Sequence, residues 1–295
     1  MRHNVVDLNL LSPQDQLRFK SLTATPGLLW PVLLLWLMVV GAYVMSWVGG
    51  LAGWLPLWAG MLINSVAGYY AFSIAHDSIH RAVSRNTRLN DAIGQSAIML
   101  GAPYVSLSLF RWAHILHHRF ANSVRDPDWI LHGPAWSLPW RWMFIDVLYL
   151  RHTLKNLDPV SRRHLRASMR WALGSLVLFT VLIVSGYGWH LLMLWLIPSR
   201  VLFVTLGFAF FWLPHVPHDT AQADNLTRAT TVRLGHEWIL SPLLQCQNYH
   251  LIHHLWPTTP FYNNRRVWRL VEDQLRQQDL SIQHGLALYP TRQEA

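Results

Sequence analysis

Two runs of the chain, Leu28 to Val48 and Leu51 to Ala75, contain no charged residue. A helix crosses a hydrocarbon core roughly 30 Å thick with about 20 residues, so each run is long enough to span it. Only Gly49 and Gly50 separate them, which predicts one helical hairpin. A second apolar pair runs from about Trp171 to Tyr187 and from about Leu191 to Leu213, joined by a turn containing Gly188. The pattern predicts an all-α membrane protein of one domain, residues 1–295, with four transmembrane helices (28–48, 51–75, 171–187 and 191–213) arranged as two hairpins. Segments 76–170 and 214–295 then form a helical cap.

The remaining apolar stretches fit this scheme differently. Ala92 to Phe110 is interrupted by Gly94, Gly101 and Pro103 and reads as an interfacial or re-entrant segment. Leu138 to Leu150 mixes aromatic residues with Arg141 and Asp146, which suits a helix in the headgroup plane or an ordinary packed helix of the cap. Trp30, Trp47, Trp54 and Trp189 fall near span ends, where indole rings favour the water–lipid boundary. Arg200 lies inside a span, where a charge needs a partner or a cavity.

Charge gives the orientation. Of the 24 Lys and Arg, 3 precede the first span, 13 lie between the pairs, 7 follow the last span and 1 is Arg200. The positive-inside rule puts both termini and the middle segment in the cytoplasm, in a protein of the cell inner membrane. The first span is too long for the apolar core of a signal peptide, typically 7–15 residues, and is expected to persist. A hydrophobic fraction of 52% with 13% charged residues agrees with a membrane class. The net charge of +9 is explained by contact with anionic lipid heads, and no recognition helix or RNA-binding signature points to nucleic acid. The single cysteine, Cys246, excludes an intramolecular disulfide and a cysteine-based metal cluster.

The chemistry lies in the histidines. Ten of the 17 fall into four clusters beyond the predicted spans. HDSIH places His76 and His80 four apart, on one face of a continuing helix. HILHH carries His114, His117 and His118, and HLIHH carries His250, His253 and His254. Roughly 0.05 matches to HxxHH are expected by chance, so two are not accidental. His215 and His218 form the weaker cluster PHVPH. Eight imidazoles from the three stronger clusters suit two metal ions better than one, although imidazole serves zinc, copper and nickel as well as iron. Asp77, Asp126, Asp128, Glu237 and Asn248 are candidates to orient the second ring nitrogens. His3, His132, His152, His164, His190, His236 and His284 read as ordinary hydrogen-bonded residues.

With HDSIH, HILHH and HLIHH as its three histidine boxes, the sequence resembles the membrane fatty acid desaturase superfamily. HDSIHRAVSRNTRLND, LPHVPHD and QNYHLIHHLWPTTPFY look most like the cyanobacterial-type β-carotene hydroxylases, over approximately His76 to Tyr262. The resemblance implies two iron ions, O2 as oxidant and oxygen insertion at a carotenoid ring, with His215 and His218 as further ligand candidates. No nucleotide-binding glycine fingerprint or cysteine cluster is present, so the electrons are expected from an external donor such as ferredoxin or a cytochrome. The basic segment with Arg81, Arg85 and Arg88 can dock such a carrier or simply face lipid. A fatty acyl desaturase or hydroxylase acting on acyl-lipid or acyl-CoA is the alternative enzyme. A membrane metal-binding protein is the non-enzymatic alternative, and it would place ionisable ligands near the bilayer midplane rather than at one edge.

Overall fold

The structure, a computed structural model, describes residues 5–294; His3 lies outside them. In chain order the main elements are α1 (Pro13–Thr23), α2 (Trp30–Ala52), α3 (Leu57–Ile79), α4 (Thr87–Gly101) and α5 (Leu107–Phe120). They continue with α6 (Leu138–Met143), α7 (Ile145–Lys155), α8 (Pro159–Leu182), α9 (Gly188–Leu191), α10 (Ile197–Leu206) and β1 (Thr231–Leu234). The last are α11 (Glu237–Leu243), α12 (His250–Leu255), α13 (Asn264–Leu275), β2 (Leu280–His284) and β3 (Thr291–Gln293). The chain divides into two compact units. One comprises Met1–Pro26, Ile115–Trp129 and Phe208–Ala295; the other comprises Gly27–His114 and Ile130–Gly207. The division falls within α5, after His114.

The second of these units is helical. The reversal between α2 and α3 comes at Gly53, whose φ of 78° suits glycine, and not at Gly49 and Gly50 as expected. Those two lie inside α2, where a Cβ at Gly49 would stand 2.7 Å from the Trp54 ring, so they serve close packing. Ser46 on α2 donates to Asn64 on α3 (2.5 Å), and Asn64 donates to the carbonyl of Leu194 (2.7 Å). Leu194 belongs to a π-helical turn, Leu192–Leu196. Wider i→i+5 pairing at such turns shifts the backbone hydrogen-bond register, and Asn64 accounts for one of its carbonyls.

Two helical stretches, Trp30–Ala52 and Pro159–His215, are long and apolar enough to cross a membrane. The second is not straight. Gly186 has φ 86° and ψ 3°, outside the helical region. Phe179 and Trp195 are 16 positions apart, about 24 Å along a straight helix, yet their rings lie 4.3 Å apart. The chain therefore reverses at Gly186, slightly before the turn expected around Gly188. α8 begins at Pro159 under a capping box of Asp158 and Ser161, well ahead of the apolar run. Arg200 has its partner: Asp146 on α7 accepts two bonds from the guanidinium (2.9 and 3.1 Å), and the Met143 carbonyl and the Tyr104 and Ser199 hydroxyls accept the others. The pairing answers the cost of an unpaired buried charge.

The first unit corrects the expectation of an all-α fold. β1 pairs in parallel with β2, and β2 antiparallel with β3. Strands of three to five residues are too short for a two-residue period to stand out in sequence. The core joins Phe19 and Leu22 of α1, Leu251 and Ile252 of α12, Val267, Trp268 and Val271 of α13, and Leu280 and Ile282 of β2. α12 is thus anchored on one side by apolar burial.

Asn64→Leu leaves the Leu194 carbonyl without its donor, and the penalty for an unsatisfied buried group is about 1–3 kcal/mol. The expected outcome is a lower Tm in detergent, with a smaller drop for Ser46→Ala, in which Asn64 still reaches Leu194.

Candidate metal centre

Four imidazoles of the first unit converge. The ring nitrogens of His117 (α5), His215, His250 and His254 (both α12) lie within 4.8 Å of one another, and all four residues are buried. His215 Nε2 stands 3.0 Å from His250 Nε2, and His254 Nε2 stands 3.1 Å from the same atom. α12 supplies two of the four because His250 and His254 are one helical turn apart.

The other ring nitrogen of each imidazole faces an oxygen. His117 Nδ1 meets Asp126 Oδ1 at 3.0 Å and Asp128 Oδ2 at 3.2 Å. His215 Nδ1 meets the Ala229 carbonyl at 3.2 Å, His250 Nδ1 meets Gln247 Oε1 at 2.5 Å, and His254 Nδ1 meets Gln222 Oε1 at 2.9 Å. An oxygen with no hydrogen can only accept, so each Nδ1 carries the proton. In a neutral ring Nε2 then holds a lone pair. Four neutral rings so close would turn their lone pairs toward one another, which repel unless a metal cation or a proton on one ring lies between them. Nitrogen-only donors favour a first-row transition ion over magnesium or calcium, which prefer oxygen.

The supporting atoms are themselves fixed. Asp126 accepts from the backbone of Asn122 (3.0 Å) and Asp128 (2.9 Å). Gln222 donates to the His118 carbonyl (2.5 Å) while its own N–H holds the Ala121 carbonyl (3.0 Å), which sets its amide orientation. Before Gln247, Gln245 and Cys246 both adopt left-handed backbone, φ 49° and 61°. Successive non-glycine residues in that region carry strain of the kind that collects at functional sites.

Burial opposes protonation of His117, but the carboxylates of Asp126 and Asp128 outweigh it and raise its pKa to about 9. Burial, followed by the neighbouring imidazoles, holds His254 well below the ordinary histidine value. The two shifts have opposite consequences. His117 contributes stability to the metal-free fold that is full below about pH 6.5 and lost as pH rises through about 9. His254 costs nothing above its unfolded value and destabilises the metal-free fold as pH falls below it.

Not every histidine of the boxes joins the quartet. His118 and His253 of the first unit meet through their Nε2 atoms at 2.9 Å, and His118 stacks on His254 with ring centroids 4.2 Å apart. His218 stands outside the quartet, its ring 6.5 Å from that of His215. In the second unit α3 ends at Ile79, so His80 sits on the helix cap rather than on a continuing helix. His76, His80 and His114 nevertheless form a trio with ring centroids 4.7 to 5.1 Å apart, and His76 Nε2 lies 3.1 Å from His114 Nε2. Arg111, one turn before His114, ties the trio's elements together: it donates to the carbonyls of Ser78 (3.0 Å) and Ile79 (2.9 Å) and pairs with Asp91 on α4. Phe72 stacks on His76, and Phe110 lies against Phe72 and His114.

Asp126 and Asp128 were legible as orienting groups; Gln222, Gln247 and the Ala229 carbonyl were not. Gln247 precedes His250 by three positions, a spacing that does carry a signal. Gln222 and Ala229 come from loops with no motif. Asn248 instead donates to Ser241, and Glu237 accepts from Gly235.

The fatty acid desaturase family model matches residues 52–285. The chain is 30% identical over 255 residues to a beta-carotene ketolase of Paracoccus sp. (strain PC1), covering 85% of this chain and 89% of that protein. A beta-carotene ketolase from a second Paracoccus strain is 30% identical over 203 residues, 68% of this chain and 71% of that protein. A chloroplastic omega-6 fatty acid desaturase of Glycine max is 27% identical over 259 residues, 74% of this chain and 56% of that protein.

Gln222→Leu removes the acceptor for His254 Nδ1, and loss of such an orienting partner typically costs about 10–100-fold in metal affinity. Competition with a chelating indicator measures it. Metal uptake at pH 7.5 is expected to release about one proton, from His117, because binding requires the deprotonated imidazole. Calorimetry in buffers of different ionisation enthalpy reads this release, and Asp126→Asn with Asp128→Asn is expected to suppress it.

Proposed function

The chain belongs to the fatty acid desaturase family, and from that membership we propose that it is a di-iron oxygenase of a carotenoid ring. The family acts with O2, and this chain is an oxidoreductase of the membrane. The observation that carries the metal reading is the set of four buried imidazoles whose nitrogens lie within 4.8 Å of one another, each with its Nδ1 against an oxygen. Its ligands would be His117, His215, His250 and His254, with His76, His80 and His114 serving a second ion, and His118, His253 and His218 as further candidates.

Iron bound there would supply reductive activation of O2 and removal of hydrogen from an unactivated C–H bond. The chain's own groups do the rest. Asp126, Asp128, Gln222 and Gln247 hold the imidazoles in one tautomer and one orientation, so no reorganisation is needed when charge changes at the centre. Phe72 and Phe110 place an apolar wall beside the trio, which excludes water and suits a hydrocarbon substrate. Two electrons per turnover would come from a reduced ferredoxin or cytochrome.

Carotenoid is favoured over acyl chain as substrate by the match to ketolases across most of both sequences. One oxygenation of a ring methylene gives the alcohol. A second at the same carbon, followed by loss of water, gives the ketone, so hydroxylase and ketolase differ in the number of rounds. The omega-6 desaturase relative supports the second reading, an acyl desaturase. The proposed setting is the inner membrane, with four spans and with both termini and the histidines on the cytoplasmic side.

Expression in a bacterial host that accumulates β-carotene is expected to yield pigment heavier by one or two oxygens, or by ring ketone, absent with His254→Ala. Unchanged pigment with newly unsaturated fatty acids in the same extract would replace this reading with the acyl one. With purified protein, reduced ferredoxin is expected to support turnover and NADPH alone is not.

A further inference from the structure

A cavity lies apart from the residues of the proposed chemistry. It has a volume of about 500 Å³, lies in the helical second unit, and is lined by Ser108, Arg163, His164, Arg166, Ala167 and Arg170. Five of the six residues come from α8 at offsets of one, three, four and seven, and the two-pair spacing of 163, 166, 167 and 170 is one helical stripe. Ser108 comes from the first turn of α5, and the two helices are pinned there: Ser106 N–H donates to Ser168 Oγ at 2.9 Å, and the two hydroxyls lie 2.9 Å apart. None of Arg163, Arg166 and Arg170 forms an ion pair with a carboxylate among the described residues. Three guanidinium groups without counter-charge, beside a hydroxyl and the positive end of a 14-residue helix, make a receptor for a phosphate.

The later turns of α8 separate the possible sources of that phosphate. Directly after Arg170 the helix turns apolar, and on the continuation of the same stripe Leu173, Val177 and Val181 are 63%, 56% and 55% exposed. Cationic cavity and bare hydrocarbon face are consecutive on one helix, in the order of an anionic head followed by an acyl tail. A soluble acidic protein would match the first part and leave the second in water.

We propose that the Arg163–Arg166–Arg170 cavity binds the phosphate headgroup of an anionic phospholipid whose acyl chain lies along Leu173, Val177 and Val181. The site requires that the chain sit in a membrane and is independent of the metal centre and of which C–H bond is oxidised.

The test is retention of phosphatidylglycerol by the purified full-length protein through exhaustive delipidation, read by native mass spectrometry against phosphatidylcholine. The wild type is expected to retain phosphatidylglycerol selectively, and Arg163→Gln, Arg166→Gln and Arg170→Gln are each expected to weaken retention by about fivefold. Leu173→Ser with Val177→Ser is expected to weaken lipid retention while leaving any binding of glycerol 3-phosphate unchanged. Equal retention of both lipids, or of phosphatidylglycerol by wild type and triple variant with the same Tm, overturns the proposal. So does full displacement of the lipid by millimolar inorganic phosphate, which would assign a free anion. Loss of binding to reduced ferredoxin in the triple variant, with lipid retention intact, would assign the cavity to an acidic protein instead. Because the readout is lipid mass, a chain that proves to act on acyl groups, or to lack iron, leaves the outcome unaffected.

Discussion

Lone-pair repulsion among converging imidazoles is the constraint on which the first unit depends. Nothing in a histidine side chain favours having three neighbours of its own kind within 4.8 Å, and burial removes the water that would screen them. The arrangement persists because each ring is held from behind by an oxygen that accepts from Nδ1. Those oxygens are in turn held: Asp126 by backbone N–H groups, Gln222 by two contacts to α5 and the turn after it, and the Ala229 carbonyl by a second donor, Asn122 Nδ2, at 2.8 Å. The apolar packing of α12 against α13, α1 and β2 supplies the rigidity behind His250 and His254.

The second unit solves a different problem with the same economy. Its helices expose apolar side chains outward, among them Leu34, Met38 and Met45 on α2 and Leu173 and Leu176 on α8. In lipid such surfaces give little attraction between helices, so small residues and polar contacts must fix the packing. Ser46, Asn64 and the Leu194 carbonyl do this between the hairpins, while Arg200 and Asp146 fix α10 against α7. Arg111 applies a similar clamp to the elements bearing His76, His80 and His114.

Distance along the chain decided which features were legible in the sequence. The histidine boxes could be read because their spacings are local: offsets of three and four within a turn or so of chain leave a signature. The hairpins could be read because apolar composition is a property of a whole segment. The reversal at Gly186 rather than Gly188 was blurred, since both glycines fit a turn and only the left-handed φ distinguishes them. The three short strands, Arg200's bond to Asp146 and the oxygen partners of His215 and His254 depend on residues brought together from separate segments. Gln222 serves His254 from 32 positions away, and no periodicity announces such a pair.

The quartet also dictates when the centre can exist. His117 lies in the first half of the chain, His215 comes nearly a hundred positions later, and His250 and His254 come later still. No nascent chain that stops short of α12 holds more than two of the four donors. Assembly of the quartet is therefore a late event of maturation rather than a nucleus for it. A chain that stops before α12 already carries His76, His80 and His114 but not the quartet, so the two histidine groups are completed at different stages of synthesis.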